Sequence, residues 1–277
     1  MSGPPELGGF SDVDGTRTPD AYADYLDAVR GVPAVAEWKE RSFVALRPRP
    51  GAALLDVGCG TGDDVLALAP RVAPGGRVTG VDASAAMIAE ARRRAAGRID
   101  VDVEFALGDA SRLGLPDGSV DGARAERVLL HTGRPADVVV EMARVVRAGG
   151  RVVAAEPDWG TLVIDAAGSD YDTDAGRAVA AVAAGRFRSP FVGRTLRRLL
   201  IEAGLEAVEV AARTLVVTDR ARAEGLFGLT AAARSAVDEG HLSQDRARGW
   251  LDGLARAGAT GRLLVAMTAF MAAGRRS

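Results

Sequence analysis

The sequence predicts an α/β protein built on one doubly wound, mostly parallel sheet. Three observations predict it. Short apolar runs that end at an acid recur between Ala53 and Asp109, amphipathic stretches separate them, and the first run leads into a glycine loop, "LLDVGCGTGDD" at 54–64. Strands separated by helices pair in parallel through right-handed crossovers, so their carboxyl ends share one edge. Both faces of such a sheet are covered, which explains runs that are apolar throughout.

The elements follow in order. Residues 1–15, rich in Gly, Pro and Asp, read as a flexible tail. Tyr22, Tyr25, Leu26 and Val29, then Val35, Trp38 and Phe43, recur at helical spacing broken at Gly31 and Pro33, so two helices precede the first strand. "AALLDVG" is a strand, "DDVLALAPRV" a helix, "GRVTGVDAS" a strand, "SAAMIAEARRRAAG" a helix and "VDVEFALGDA" a third strand. "SVDGARAERVLLH" supplies a weaker fourth strand, "RPADVVVEMARVVRAGG" a helix closed by two glycines, and "RVVAAEPDW" a fifth strand. "VGRTLRRLLIEAGL" is an amphipathic helix, and "EAVEVAARTLVV" alternates like a strand. "RLLVAMTAFMAA" fits either element by length; its branched and aromatic residues, after the turn "GATG", favour a buried strand. Residues 16–277 thus form a single domain: helices over 16–48, a ligand-binding core over 49–160, and lid insertions over 161–190 and 219–257.

Composition narrows the function. With 277 residues, 48% of them hydrophobic, the chain can bury a substantial core. A net charge of −2 without a dense basic run argues against nucleic acid as partner. Lys39 is the only lysine among 35 basic residues, a coding bias that lowers the information in any arginine cluster. Cys59 is the only cysteine, so an internal disulfide and a structural zinc site are excluded. No basic-then-apolar leader opens the chain and no apolar run reaches membrane-spanning length, so the expectation is a soluble, cytoplasmic protein.

Asp56, Asp82 and Asp109 fall at the ends of the first three strands. Asp82, twenty residues past Gly62, stands where a carboxylate accepts hydrogen bonds from both hydroxyls of a ribose. The glycines read G-x-G-x-G rather than G-x-G-x-x-G, and Asp63 and Asp64 open the next helix, where a pyrophosphate would otherwise bind. The expected ligand is therefore a nucleoside with a cationic or zwitterionic tail.

These residues resemble the class I S-adenosylmethionine-dependent methyltransferases, especially the small-molecule branch that acts on quinones and natural products. The resemblance covers about Leu54–Trp159 and rests on "LDVGCGTG", "VDAS", "GDA" and "ARVVRAGGRVV", with Ala148 where the family usually has proline. It implies a Rossmann-like sheet of seven strands whose last is antiparallel. It also implies S-adenosylmethionine as cofactor, with S-adenosylhomocysteine as product, held by Tyr25, Asp56, Gly58, Cys59, Gly60, Thr61, Gly62, Asp82, Ala83, Met87, Gly108, Asp109, Ala110 and Arg127. The methyl group passes to oxygen, carbon or nitrogen of a small acceptor by in-line displacement, without a metal. Here "ERVLLH" replaces the Asn- or Asp-Pro-Pro-aromatic sequence of enzymes that methylate bases and amides, which disfavours those acceptors.

The family's substrate contacts fall after the fourth and fifth strands. His131 is either a proton acceptor, its ordinary pKa being near neutral, or a wall of the cofactor pocket. Glu156 and Asp158 are candidates to orient or deprotonate the acceptor, one of them bracing a loop. Trp159 walls the acceptor pocket or belongs to the core. Two other readings share the sheet: a protein that binds S-adenosylmethionine without transferring its methyl, such as a cyclase, and a nicotinamide-dependent oxidoreductase, which the acidic helix start opposes.

Overall fold

A computed structural model describes residues 5–98, 102–166 and 172–277. The beginning of the third predicted strand, at Val101, part of the first insertion and residues 1–4 of the expected tail lie outside the described residues. Two helices, α1 (Pro19–Arg30) and α2 (Pro33–Leu46), start at prolines that need no N–H partner there. The sheet then builds through β1 (Ala53–Val57), α3 (Asp63–Val72), β2 (Arg77–Asp82), α4 (Ala85–Ala95), β3 (Val103–Leu107), β4 (Val120–Glu126), α5 (Pro135–Val145) and β5 (Val146–Pro157). The chain continues as β6 (Val163–Asp165), α6 (Thr173–Gly185), α7 (Leu196–Glu202), β7 (Leu205–Val217), three helices α8 (Arg220–Phe227), α9 (Leu229–Asp238) and α10 (Gln244–Ala259), and β8 (Leu264–Arg276).

The strands stand in the order β3-β2-β1-β4-β5-β8, with β7 along the far side of β8. β1 to β5 pair in parallel, and β8 runs antiparallel to β5, β6 and β7. The ambiguous "RLLVAMTAFMAA" is therefore the reversed last strand. The seven expected strands are joined by an eighth, the three-residue β6, which adds to the first part of β8. So short a run carries no readable period.

Leu54 packs on the face covered by α2, α3 and α4, while Leu55 and Val57 pack on the face of α5 and α7. Burial on both sides is why β1 is apolar at successive positions. Each fully buried leucine here contributes about 1.5–3 kcal/mol through removal from water. The predicted helix ending at two glycines stops earlier, at Val145; the residues after it already belong to β5, where Gly149 has a φ of 79° that suits glycine. α6 and α8–α10, inserted around the last strands, form a helical cap whose centre holds Trp250, Phe227 and Leu229.

The expected flexible tail is corrected for Leu7–Gly15. This stretch makes two 3-10 turns, Leu7–Ser11 and Val13–Gly15, with Leu7 and Val13 each 3% exposed. Asp14 fastens it by accepting from Ser84 Oγ (2.5 Å) and from the amides of Ala85 (2.7 Å) and Ala86 (3.1 Å) at the start of α4. Leu7, Phe10 and Val13 recur every third residue, a turn-like spacing hidden by the surrounding glycines. No helix among the described residues is long and apolar enough to cross a membrane.

Candidate active site

A cavity of about 560 Å³ opens at the carboxyl ends of β1–β5, roofed by the N-terminal turns, α1 and α8. That size is within the usual range for small-molecule sites. Its floor at one end is the glycine loop, where Gly58 (φ 68°), Gly60 (φ 50°) and Gly62 (φ 80°) adopt left-handed backbone. A Cβ on Gly58 would collide with Val128, and one on Gly60 would lie 3.0 Å from Leu26. Gly62 does not line the cavity; its missing Cβ lets α3 pack against Phe105 and Ala91.

Asp82 is the acid best placed for a nucleoside. Oδ2 accepts from Gly60 N (2.8 Å) and Oδ1 from Ser84 N (2.9 Å), which fixes the carboxylate and leaves each oxygen a further lone pair toward the cavity. Burial raises its pKa, and the Ser84 and Gly60 amides oppose that rise. Asp109 lines the same end, held by the amide and hydroxyl of Ser111 (both 2.8 Å), which lower its pKa. Tyr25, Cys59, Thr61, Ala83, Met87, Gly108, Ala110 and Arg127 also border the cavity. Burial and the Asp56 carboxylate push the Cys59 thiol far up, so it is no nucleophile.

Asp56 does not line the cavity. It bonds Arg124 (2.7 Å), which is 1% exposed and also pairs with Asp64 (3.0 Å) and Glu126. Lys39 joins Asp64 (2.5 Å) and Glu126 (3.5 Å), while Asp63 pairs with Arg30 and with Arg94 (2.8 Å). Burial alone would raise the Asp64 carboxyl; Arg124 and Lys39 outweigh it and hold the group well below its ordinary value. The two acids at the α3 start are thus ion-paired, with cations that they share with Asp56, Glu126, Asp27 and Glu90.

The other end of the cavity is aromatic. Phe10 lies 5.5 Å from His131 and 5.7 Å from Tyr25; Phe187 lies 5.4 Å from His131 and 4.7 Å from Trp159. Phe227 completes the wall 6.2 Å from Trp159. His131 is not the expected near-neutral base, since burial and the Arg127 charge lower its pKa to about 4. Glu156 moves oppositely, pushed up to about 8 by burial against the opposing amides of Leu129 and Val128. Its Oε1 accepts from those amides (2.7 and 2.8 Å), fixing the turn that carries His131. Asp158, expected beside the acceptor, is instead the loop brace: it bonds Arg194 Nε (2.5 Å) and Nη2 (2.7 Å) and does not line the cavity.

The sequence reading missed Phe10, Phe187, Phe227, Lys39, Arg124 and Glu126. Arg124 and Glu126 sit two apart, on one face of β4, and that alternation was the available signal.

A glycine loop, a fixed acid at the end of β2 and a parallel sheet define a nucleoside-binding protein of the doubly wound class. A family model described as "Methyltransferase domain" matches residues 55–154. Residues 55–154 thus carry a domain of the class I S-adenosylmethionine-dependent methyltransferases, whose cofactor is S-adenosylmethionine. It is 40% identical over 232 residues to an uncharacterized 37.1 kDa protein in transposon TN4556 of Streptomyces fradiae, covering 83% of this chain and 66% of that one. It is 38% identical over 141 residues to a demethylmenaquinone methyltransferase of Symbiobacterium thermophilum, covering 50% of this chain and 56% of that one. The chain thus spans under two thirds of the length of these curated relatives. Phosphoethanolamine N-methyltransferase 2 of Haemonchus contortus, solved with S-adenosyl-L-methionine, shares the fold at a TM-score of 0.60 and 18% identity, over 97% of this chain and 60% of that one.

Proposed function

We propose that the protein transfers the methyl group of S-adenosylmethionine to an oxygen, carbon or nitrogen atom of a small acceptor. The supporting observation is one cavity with two unlike ends, a glycine and carboxylate cradle at Gly58–Asp82–Asp109 and an aromatic chamber at His131–Trp159. Bound S-adenosylmethionine would supply an electrophilic methyl group on a sulfonium. In this reading Asp82 holds the ribose, Gly58 and Gly60 let the backbone approach, and Arg127 borders the tail. The aromatic chamber excludes water and aligns the acceptor. Glu156, raised to about 8 and so protonated at neutral pH, orients the acceptor by donating a hydrogen bond, and His131, neutral at pH 7, is a further hydrogen-bond partner. Relatives that act on quinones support an acceptor of that size. The test is mass spectrometry of a host metabolite extract after incubation with methyl-labelled cofactor. Transfer of the label to a small compound is the expected result; label that stays on the cofactor, with the cofactor bound, would favour a non-transferring protein.

A further inference from the structure

A recess of about 260 Å³ lies at the amino-terminal edge of the sheet, where β1 and β5 begin, β8 ends and the chain leaves α2. Arg47, Arg49, Arg147, Arg151 and Arg275 line it, with a single acid, Asp121, among the described residues that do so. Arginine is common in this chain, so the count alone means little; burial and pairing single out Arg151. It is 8% exposed, and its Nε is buried without a hydrogen-bond partner among the described residues. Its register partner across the antiparallel β5–β8 pair is another arginine, Arg275, and like charges directly opposite each other destabilise a sheet. The nearby acids do not relieve this. Asp121 accepts from Arg49 (2.6 Å), from Arg147 and from Ala53 N (2.9 Å), and Glu206 accepts from Arg275 (3.1 Å). Glu209 approaches Arg47 and Arg151, but at 4.0 and 3.6 Å it bonds neither, and its side chain is 68% exposed. We propose that this recess is an anion site, separate from the active site, that takes the phosphate group of a small ligand between Arg47 and Arg151.

Guanidinium chemistry selects phosphate. Each planar fork offers paired N–H donors to two oxygens of one group, and a phosphate has oxygens enough for two forks, whereas a carboxylate has only two. Glu209 marks the place, since its carboxylate reaches toward both arginines without a hydrogen bond to either; a phosphate between them takes over its role and releases it to solvent. Burial and the Arg47 charge both lower the Arg151 pKa, so its guanidinium gains from an anion that joins it. Nucleic acid is disfavoured, because Glu206 and Glu209 flank the recess on β7 and the chain is net acidic.

Titration calorimetry on the full chain at about 0.15 M salt tests the inference with two probes, inorganic pyrophosphate and glycerol 3-phosphate. Saturable binding at one site per chain is expected, and the tighter probe tells whether a free diphosphate or a phosphate ester is the ligand. Arg151→Met should weaken binding about tenfold or more. Arg47→Gln changes a side chain that is 66% exposed, so folding does not depend on it, and it should weaken binding about tenfold. Glu209→Gln removes the competing carboxylate and should tighten binding about threefold. Arg177→Gln, on α6, controls for diffuse charge and should bind as the parent does. No saturable binding of either probe, equal affinities in the parent, Arg47→Gln and Glu209→Gln proteins, or binding of a short DNA duplex by the same arginines in place of both probes would overturn the inference. Whether S-adenosylhomocysteine binds bears only on the proposed function, since the two sites lie at opposite edges of the sheet.

Discussion

Asp82 owes its suitability to two backbone amides that hold its carboxylate before any ligand arrives. Asp82→Ala should weaken S-adenosylhomocysteine binding by about 1–3 kcal/mol, the range for charge-assisted bonds, and titration calorimetry reads it directly. Gly58→Ala combines a left-handed backbone with a collision at Val128, so cofactor affinity should fall at least as far. Glu156 makes a prediction in pH. Its folded pKa of about 8 lies above the unfolded value of about 4.3, so the folded state binds the proton more tightly. Its stabilising contribution is full below the unfolded value and is lost as pH rises through 8. His131 slopes the other way, its contribution lost as pH falls toward 4, and Asp56, raised to about 6 by burial, slopes with Glu156 only up to about that pH, so above about 6.5 the Glu156 slope dominates these three. Thermal unfolding between about pH 6.5 and 8 should show the parent losing stability and Glu156→Gln staying flat. A parent that gains stability across that window would contradict the burial argument.

At the scale of elements, β4 carries the strongest internal constraint. Arg124 joins Asp56, Asp64 and Glu126, donates to Ser42 Oγ (2.8 Å) and stacks 4.9 Å over Phe43, tying β4 to β1, α2 and α3. Arg124→Met should destabilise by about 3–5 kcal/mol, because the carboxylates stay buried without their cation; denaturant unfolding measures it. Most element types were legible from period alone. The break at Gly31 and Pro33 separates α1 from α2 as expected, and "EAVEVAARTLVV" is β7. β6 was not legible, since three residues contain no period, and its pairing partner lies about a hundred positions away along β8.

For the whole molecule, the cavity is closed by segments remote in sequence: the turns before α1, the loop after α6, and α8. Tyr25 donates to Leu226 O (3.4 Å) across that roof, and Asp14 anchors the first turns to α4. Removing the clasp with Asp14→Ala should cost about 1 kcal/mol, typical of a lost helix cap, and should speed proteolysis near the N-terminus. Unchanged cleavage there would mean that Leu7 and Val13 alone hold the segment.

Local chemistry determined the sheet, the glycine loop and the carboxyl-edge acids Asp82 and Asp109, because strand period, glycine spacing and strand ends are properties of contiguous residues. Only the tertiary structure decided the roles of the charged and aromatic groups. Asp158 faces Arg194 rather than the chamber, Asp63 and Asp64 are ion-paired, His131 is a weak base, and Phe10 belongs to the site. Burial and pairing set those roles, and both arise from residues that the fold brings together across long stretches of chain.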